Sequence, residues 1–514
     1  MVISKSIITK SVANTSKIGL EEKLWLVADK MRGHVESAEY KHLLLGLIFL
    51  KYLSDIFEKR YREIEKDLCH SVNREAYIAD GIFWIPDEAR WFYLTSNSDD
   101  PAIANLIDNA MLKIEEANPT LLGIFAKDYV RLSQSNHRLS ELLHLVDSLP
   151  IEDKGSSSND VLGRVYEYFL GRFASVEGKG GEFYTPSSVV RLLVDMIEPY
   201  KGSVYDPCCG SGGMFVQSEK FVLAHGGNKE DISIYGQEIN PATWRLCKMN
   251  LTIRGIKGDI GTRPADSFYH DVHPSLEADY VLANPPFNVS DWGGEHLRGD
   301  GRWRYGVPST SNANFAWVQH IAHHLAPSGV AALVLTNGSL SGGQDGSIRK
   351  ALIEADLVDC VVALPTNLFY NTQIAACIWI LAKDKQDFRF RNRQNTTLFI
   401  YAHNMGQMVD RVHGELSDEN INLITKMYHT WRDKEGDILY KDTPGLCKSA
   451  TLAEIRTHKW SLVPGRYVGF DKNFSQQWSN EHLHTELEEL EVRLKEISKA
   501  SVSAISILKE LLYG

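Results

Sequence analysis

Asn284-Pro285-Pro286-Phe287 follows the apolar run Tyr280-Val281-Leu282-Ala283 and combines a side-chain amide, two proline carbonyls and an aromatic ring. That set suits chemistry on the exocyclic amine of an aromatic ring. Such a nitrogen is a poor nucleophile, because its lone pair is delocalised into the ring. The Asn oxygen and a backbone carbonyl can each accept one of its N–H groups, favouring a more tetrahedral nitrogen with its lone pair aimed at an electrophile. Pro285 suits the second acceptor role, since proline keeps its carbonyl but has no N–H. The two prolines restrict the backbone, so little ordering remains for the transition state. Phe287 is placed to stack on the ring that carries the amine. If that ring belongs to a base in a duplex it must be flipped out, at a cost on the order of a few kcal/mol. An isolated N-P-P-F would read as an ordinary turn after a strand; its neighbours in the sequence argue otherwise.

The first neighbour is Val204-Tyr205-Asp206-Pro207-Cys208-Cys209-Gly210-Ser211-Gly212-Gly213, a Gly-rich turn directly after a short apolar run. Glycines let backbone N–H groups approach a ligand closely, and in α/β sheets ligands sit beyond the carboxyl ends of strands. The spacing is neither G-x-G-x-x-G nor a P-loop. Asp206 at the strand end suits the cationic amino and sulfonium groups of S-adenosylmethionine better than a pyrophosphate. Gly210, Ser211, Gly212 and Gly213 would form the cradle. Glu238, after the next run, is placed to accept both ribose hydroxyls, and Asp266 to accept from the amine of the cofactor's adenine, although a plain surface turn explains Asp266 nearly as well. Upstream, Glu182, Phe183, Tyr184 and Thr185 precede a helix expected to begin near Ser187. Thr185 is expected to cap that helix, with the backbone closing over the methionine end of the cofactor.

The elements that must position these groups fall into three stretches. Up to about residue 155 the sequence reads as helical, with Leu43, Leu44, Leu47, Ile48 and Leu50 at roughly helical spacing. Gly155 to Asp160 is a plausible linker into a helix over Val161 to Phe173. From 156 to 472 short apolar runs alternate with helices. Strands are expected at Ser203–Tyr205, Ile232–Gly236, Tyr280–Ala283, Val330–Leu335, Val358–Leu364 and Ile374–Leu381, in a mainly parallel α/β sheet. The last two runs leave no room for a helix between them and should pair antiparallel. Residues 473–514 carry a heptad seam through Leu483, Leu487, Leu490, Leu494, Ile497, Ser501, Ala504, Leu508 and Leu511. It reads equally as a coiled-coil-like partner helix or as a helix packed on its own domain.

With 514 residues, 43% hydrophobic and 24% charged, the chain has a globular composition and room for two or three domains. No apolar run is long enough to span a bilayer, and the N-terminus lacks a signal-peptide core. Seven cysteines without metal or disulfide spacing suit a reducing cytoplasm. The net charge of −11 is awkward for a protein acting on a polyanion: either the basic residues are gathered locally, or another subunit does most of the gripping. His320 and His324, four apart, could form half a metal site, but no third ligand is evident and no metal is expected. Ser339 lacks the spacing of a nucleophile elbow.

Taken together these residues resemble the N6-adenine DNA methyltransferases, and specifically the modification subunit of type I restriction-modification systems. The resemblance rests on Gly181 to Pro186, Asp206 to Phe215, Asn284 to Phe287, Leu335-Thr336-Asn337-Gly338, Leu364 to Phe369 and Ser461 to Tyr467, together with the helical N-terminal region. It implies a helical N-terminal domain followed by a Rossmann-like methyltransferase domain. It also implies a complex of two modification subunits with one specificity subunit, joined by a nuclease-translocase subunit for restriction. That assembly would explain the acidic balance and give the C-terminal seam a partner. Arg298, Arg302, Arg304, Trp292, Trp303 and Tyr305 lie in a Gly-rich loop that is either a contact for a flipped strand or a surface loop. Two alternatives stand beside this one: methylation of a glutamine amide in protein, and a scaffold subunit that keeps the fold without turnover.

Overall fold

The computed structural model describes Trp25 and residues 37–66, 74–132, 136–148, 158–176, 185–369, 374–409, 413–434 and 439–469. Glu182, Phe183, Tyr184 and the C-terminal seam lie outside the described residues. The N-terminal helices include α1 (Ser37–Lys66), α2 (Ile103–Ala117), α3 (Asn136–Asp147) and α4 (Ser158–Val176). Leu43, Leu44, Leu47, Ile48 and Leu50 of α1 are all buried, as their spacing predicts. Their core continues into Leu246, Met249 and Ile253 of a helix in the sheet domain. Tyr52 also reaches across, its hydroxyl donating to the Ile253 carbonyl at 2.9 Å. The helical region is therefore packed against that helix of the sheet domain.

Helix α5 (Ser187–Ile197) leads into the α/β part. There β1 (Gly202–Asp206), α6 (Gly213–Ala224), β2 (Ile232–Gly236), α7 (Pro241–Arg254), β3 (Gly258–Asp259) and β4 (Ala278–Ala283) follow in turn. They continue as α8 (Asn314–His323), β5 (Leu325–Thr336), α9 (Gly346–Glu354), β6 (Val358–Ala363), β7 (Ala376–Ala382) and β8 (Thr396–Tyr401). A small hairpin of β9 (Gln407–Met408) and β10 (Gly414–Glu415) precedes α10 (Asp418–Arg432) and β11 (Cys447–Thr451). Nine strands form one sheet in the order β11-β8-β6-β7-β5-β4-β1-β2-β3. The pairs β5–β4–β1–β2–β3 are parallel, whereas β7 runs antiparallel to both β5 and β6. The antiparallel β6–β7 pair matches the absence of room for a helix between them. Every residue of β6 and β7 is buried, the mark of central strands covered on both faces. Three strands of this sheet escape the sequence reading, the two-residue β3, β8 and the polar edge strand β11, as does the small β9–β10 hairpin.

The order of strands, rather than their number, builds the site. β1 is hydrogen-bonded to β2 on one side and β4 on the other, so the turns after all three open side by side. Asp279 fixes the β1–β4 register by accepting from both the backbone N–H and the hydroxyl of Ser203, at 2.8 and 2.9 Å. No helix among the described residues is long and apolar enough to cross a membrane.

Candidate active site

Asp206 ends β1 with its carboxylate almost wholly buried, accepting from the Cys208 N–H at 3.0 Å. Burial pushes this carboxyl up to about 7; the Cys208 hydrogen bonds oppose the shift and the nearby Glu238 charge adds to it. A buried carboxylate raised in this way is suited to a cationic ligand, which would restore its ionised form. The turn behind it is held by Gln237 N–H to Asp206 O and Cys209 N–H to Gln237 O. Gly212 adopts φ +80 at the start of α6, and a Cβ there would lie 2.9 Å from the Cys247 sulfur, so a side chain is excluded. At Gly210 and Gly213 a Cβ would meet nothing within 4 Å. The turn thus has a packed back and an open front, a cradle of the right kind for a cofactor.

Glu238 does two things for that cradle. Its carboxylate accepts from the N–H of Gly210 at 3.0 Å and of Asn240 at 2.8 Å, tying the turn after β2 to the turn after β1. A carboxylate oxygen can accept more than one hydrogen bond, so acceptance from a ribose is compatible with the tether. Asn240 then caps α7 through the N–H groups of Ala242 and Thr243, and Asn250 of that helix donates to the Ser211 carbonyl at 2.9 Å. Asp266 closes a turn, one oxygen accepting from Phe268 N–H at 2.8 Å.

Asn284 stands at the end of β4, one strand from Asp206. Its Nδ2 donates to Thr185 Oγ1 at 2.8 Å, while its Oδ1 is buried and has no hydrogen-bond partner. Buried amide oxygens are rarely left unpaired, because desolvation without a donor costs about 1–3 kcal/mol. Thr185 therefore does not cap α5 as expected. Pro186 holds the N-cap position without a side-chain bond, and the Thr185 hydroxyl is used on Asn284 instead. Pro285 is buried, and Phe287 is buried with its ring edge-to-face on Phe369, centroids 5.7 Å apart.

Behind the tetrapeptide lies a clamp that the sequence did not disclose. Asn288, at φ +54, donates its N–H to Asn314 Oδ1 at 3.0 Å and accepts from Asn314 Nδ2 at 2.9 Å. Asn312 and Thr336 also donate to Asn288 Oδ1. Asn337, one residue past the end of β5, carries a second buried amide oxygen without a partner. Asn288 and Asn314 needed the fold to be found, since neither sits in a recognisable spacing with Asn284; Asn337 lies in a stretch that carries the family resemblance, but its unpaired oxygen is visible only in the fold.

The Gly-rich loop after this turn is not a free strand-contacting surface at its centre. Trp292 and Trp303 are buried with Phe268 and Trp317 in a compact aromatic cluster. Arg302 is also buried, donating to the carbonyls of Ser267 and Phe268 and pairing with Asp300. A buried guanidinium that meets carbonyls and a carboxylate is a structural tie, not a phosphate ligand. Arg298 and Arg304 remain exposed.

A third partner for His320 and His324 also exists, contrary to expectation: Asp271 Oδ2 lies 2.9 Å from His324 Nε2. The protons argue against a metal there. Arg302 can only donate, so His320 Nδ1, 3.0 Å away, must accept, and the His320 proton sits on Nε2 facing the Tyr205 hydroxyl. His320 thus has no second lone pair to give a cation. His324 Nδ1 lies 2.9 Å from the Leu276 carbonyl and must donate. Burial is the largest single influence on Asp271 and opposes its ionisation, but the hydrogen bond and charge of His324 together with the His273 N–H outweigh it and hold the carboxyl low. The cluster is a hydrogen-bonded brace between β1, α8 and the aromatic loop.

An electrophile cradled at the end of β1 would face an amine held at the end of β4, the arrangement of an S-adenosylmethionine-dependent amine methyltransferase. Residues 157–476 match the N-6 DNA Methylase family and residues 20–146 match the HsdM N-terminal domain. The chain is 46% identical over 377 residues to the methylase subunit of the type I restriction enzyme HindI of Haemophilus influenzae, covering 71% of this chain and 83% of that one. It is 39% identical over 474 residues to the MjaIX methylase subunit of Methanocaldococcus jannaschii, covering 87% and 84%. The crystal structure of a type I restriction-modification methyltransferase subunit from Streptococcus thermophilus superposes with a TM-score of 0.74 at 26% identity, covering 87% of this chain and 99% of that one. The chain therefore belongs to the N-6 DNA methylase family, as the methylase subunit of a type I restriction-modification system that methylates N6 of adenine in DNA with S-adenosylmethionine.

Proposed function

We propose that Asn284 Oδ1 and the Pro285 carbonyl accept the two N–H groups of a flipped adenine amine, and that Pro286 and Phe287 complete the pocket, Phe287 against the base. The buried, unpartnered Asn284 Oδ1 carries this assignment. S-adenosylmethionine supplies a methyl group on a sulfonium, whose departure as a neutral thioether needs no proton and no metal. Asp206 with Gly210, Ser211, Gly212 and Gly213 holds its methionine end, Glu238 its ribose and Asp266 its adenine. Glu182, Phe183, Tyr184 and Thr185 belong to the segment that closes over it. As the amine attacks, it becomes cationic; the two acceptors stabilise that charge more than they stabilise the planar ground state, which is what lowers the barrier.

The division of labour follows residues 1–155 as a helical domain, 156–472 as the methyltransferase domain and 473–514 as a coiled-coil-like helix for subunit association. The partners are DNA, a specificity subunit, a second copy of this chain and, for restriction, a nuclease-translocase subunit. The acidic net charge and the burial of Arg302 support leaving most of the DNA grip to the specificity subunit. The setting is cytoplasmic; the six described cysteines are all free thiols, in keeping with it.

Methyl transfer from labelled cofactor should appear on adenine-containing duplex when the chain is assembled with its specificity subunit. A glutamine peptide should gain no label. Label on the peptide and not the duplex would favour the glutamine-amide alternative. Absence of both transfer and cofactor binding would favour the scaffold one.

A further inference from the structure

The proposed role of Asn284 leaves open what makes its amide present oxygen, rather than nitrogen, to the substrate. The two ends of an amide are nearly the same size, and the wrong end would set N–H donors against the N–H donors of the target. We propose that Thr185 is the positioning residue that fixes this choice. Its Oγ1 accepts from Asn284 Nδ2 at 2.8 Å, across 99 residues of sequence, and Oδ1 is left buried and without a partner.

Thr185 is well placed for the task. It precedes Pro186, whose ring disfavours a helical conformation for the residue before it. The Pro186 carbonyl accepts from the N–H groups of Val189 and Val190, so the start of α5 is locked. The hydroxyl is consequently presented by a rigid helix start and is not consumed in capping it. In this bond the hydroxyl accepts, so the amide nitrogen is the end held at Thr185 and the oxygen is the end turned away from it.

The test is single-turnover methylation by the assembled complex at saturating cofactor, using Thr185→Val and Thr185→Ser. Loss of the acceptor should slow transfer by roughly 10–100-fold in Thr185→Val, the scale of a misplaced reacting group. Thr185→Ser should return the rate to within about threefold of the parent, as it restores the acceptor. Base flipping by 2-aminopurine fluorescence should be unchanged in both, and because the rate is read at saturating cofactor, any change in cofactor affinity from Thr185's place in the closing segment is kept apart from the change in transfer. An unaltered rate in Thr185→Val, or failure of Thr185→Ser to rescue, would overturn the proposal. So would a defect confined to cofactor affinity. Should Thr185→Val not fold, Thr185→Ser against Thr185→Ala gives the same comparison. Transfer that survives in Asn284→Ala would instead defeat the assignment of Asn284 on which this proposal rests.

Discussion

Asn284→Ala in the assembled complex is expected to slow methyl transfer by about 10²–10³-fold or more, equivalent to roughly 3–4 kcal/mol of transition-state stabilisation. On the proposed assignment the side chain supplies one of two acceptors at the reacting nitrogen, so its removal would fall on the chemical step rather than on binding. Cofactor affinity should change little, because Asp206, Gly210 and Glu238 are held by bonds that do not involve Asn284. Folding should be retained for a related reason. The alanine removes an amide whose oxygen already lacked a partner and whose nitrogen met a hydroxyl able to rebond elsewhere. Rapid-quench measurement of single-turnover rate beside calorimetric cofactor affinity separates the two. A fall in affinity with no fall in rate would remove Asn284 from the chemistry.

The second large effect concerns Asp206 and pH. In the free chain this carboxyl is raised from 3.8 to about 7, with burial the main cause. If its task is to meet a cationic cofactor, the bound form favours the carboxylate and binding lowers its pKa. Affinity should then be greatest above about pH 7 and weaken as pH falls, by up to about tenfold per unit, since 1.36 kcal/mol corresponds to one unit. The sign follows from proton uptake: below pH 7 the free chain holds a proton that binding must expel. Asp206→Asn should bind weakly and lose this pH dependence while keeping a melting temperature close to the parent's, because the neutral amide avoids burying a charge. Calorimetry between pH 5.5 and 8 decides it. A parent curve that is flat, or one that strengthens towards acid, would contradict an ionic role for Asp206.

What could be read from the sequence was the chemistry that demands particular residue types in order. Gly210 and Gly212, Glu238 and Asn284 each follow a strand, and the apolar runs of β1, β2, β4, β5, β6 and β7 could be placed because buried strands are continuous in hydrophobicity. β11 could not: it is a polar edge strand whose membership depends on backbone pairing with β8. β3 is two exposed residues. Arg302 read as a surface cation because a charge in a Gly-rich loop usually is one; only the fold brings it under Ser267 and Phe268. Asp271 and His324 meet across 53 residues, and Thr185 and Asn284 across 99, with no periodicity to announce either pair. The orphaned oxygen of Asn284 is of the same kind. It is a property of everything around the residue, not of the residue.

The assembled complex on duplex DNA, with a non-reactive cofactor analogue bound, offers the most direct test of the proposed chemistry. In its structure the N6 atom of the flipped adenine should lie within hydrogen-bond distance of both Asn284 Oδ1 and the Pro285 carbonyl, with the analogue's reactive position in line on the other side of the nitrogen. An adenine seated in the pocket while Asn284 Oδ1 remained unbonded, or was turned to Thr185, would contradict it.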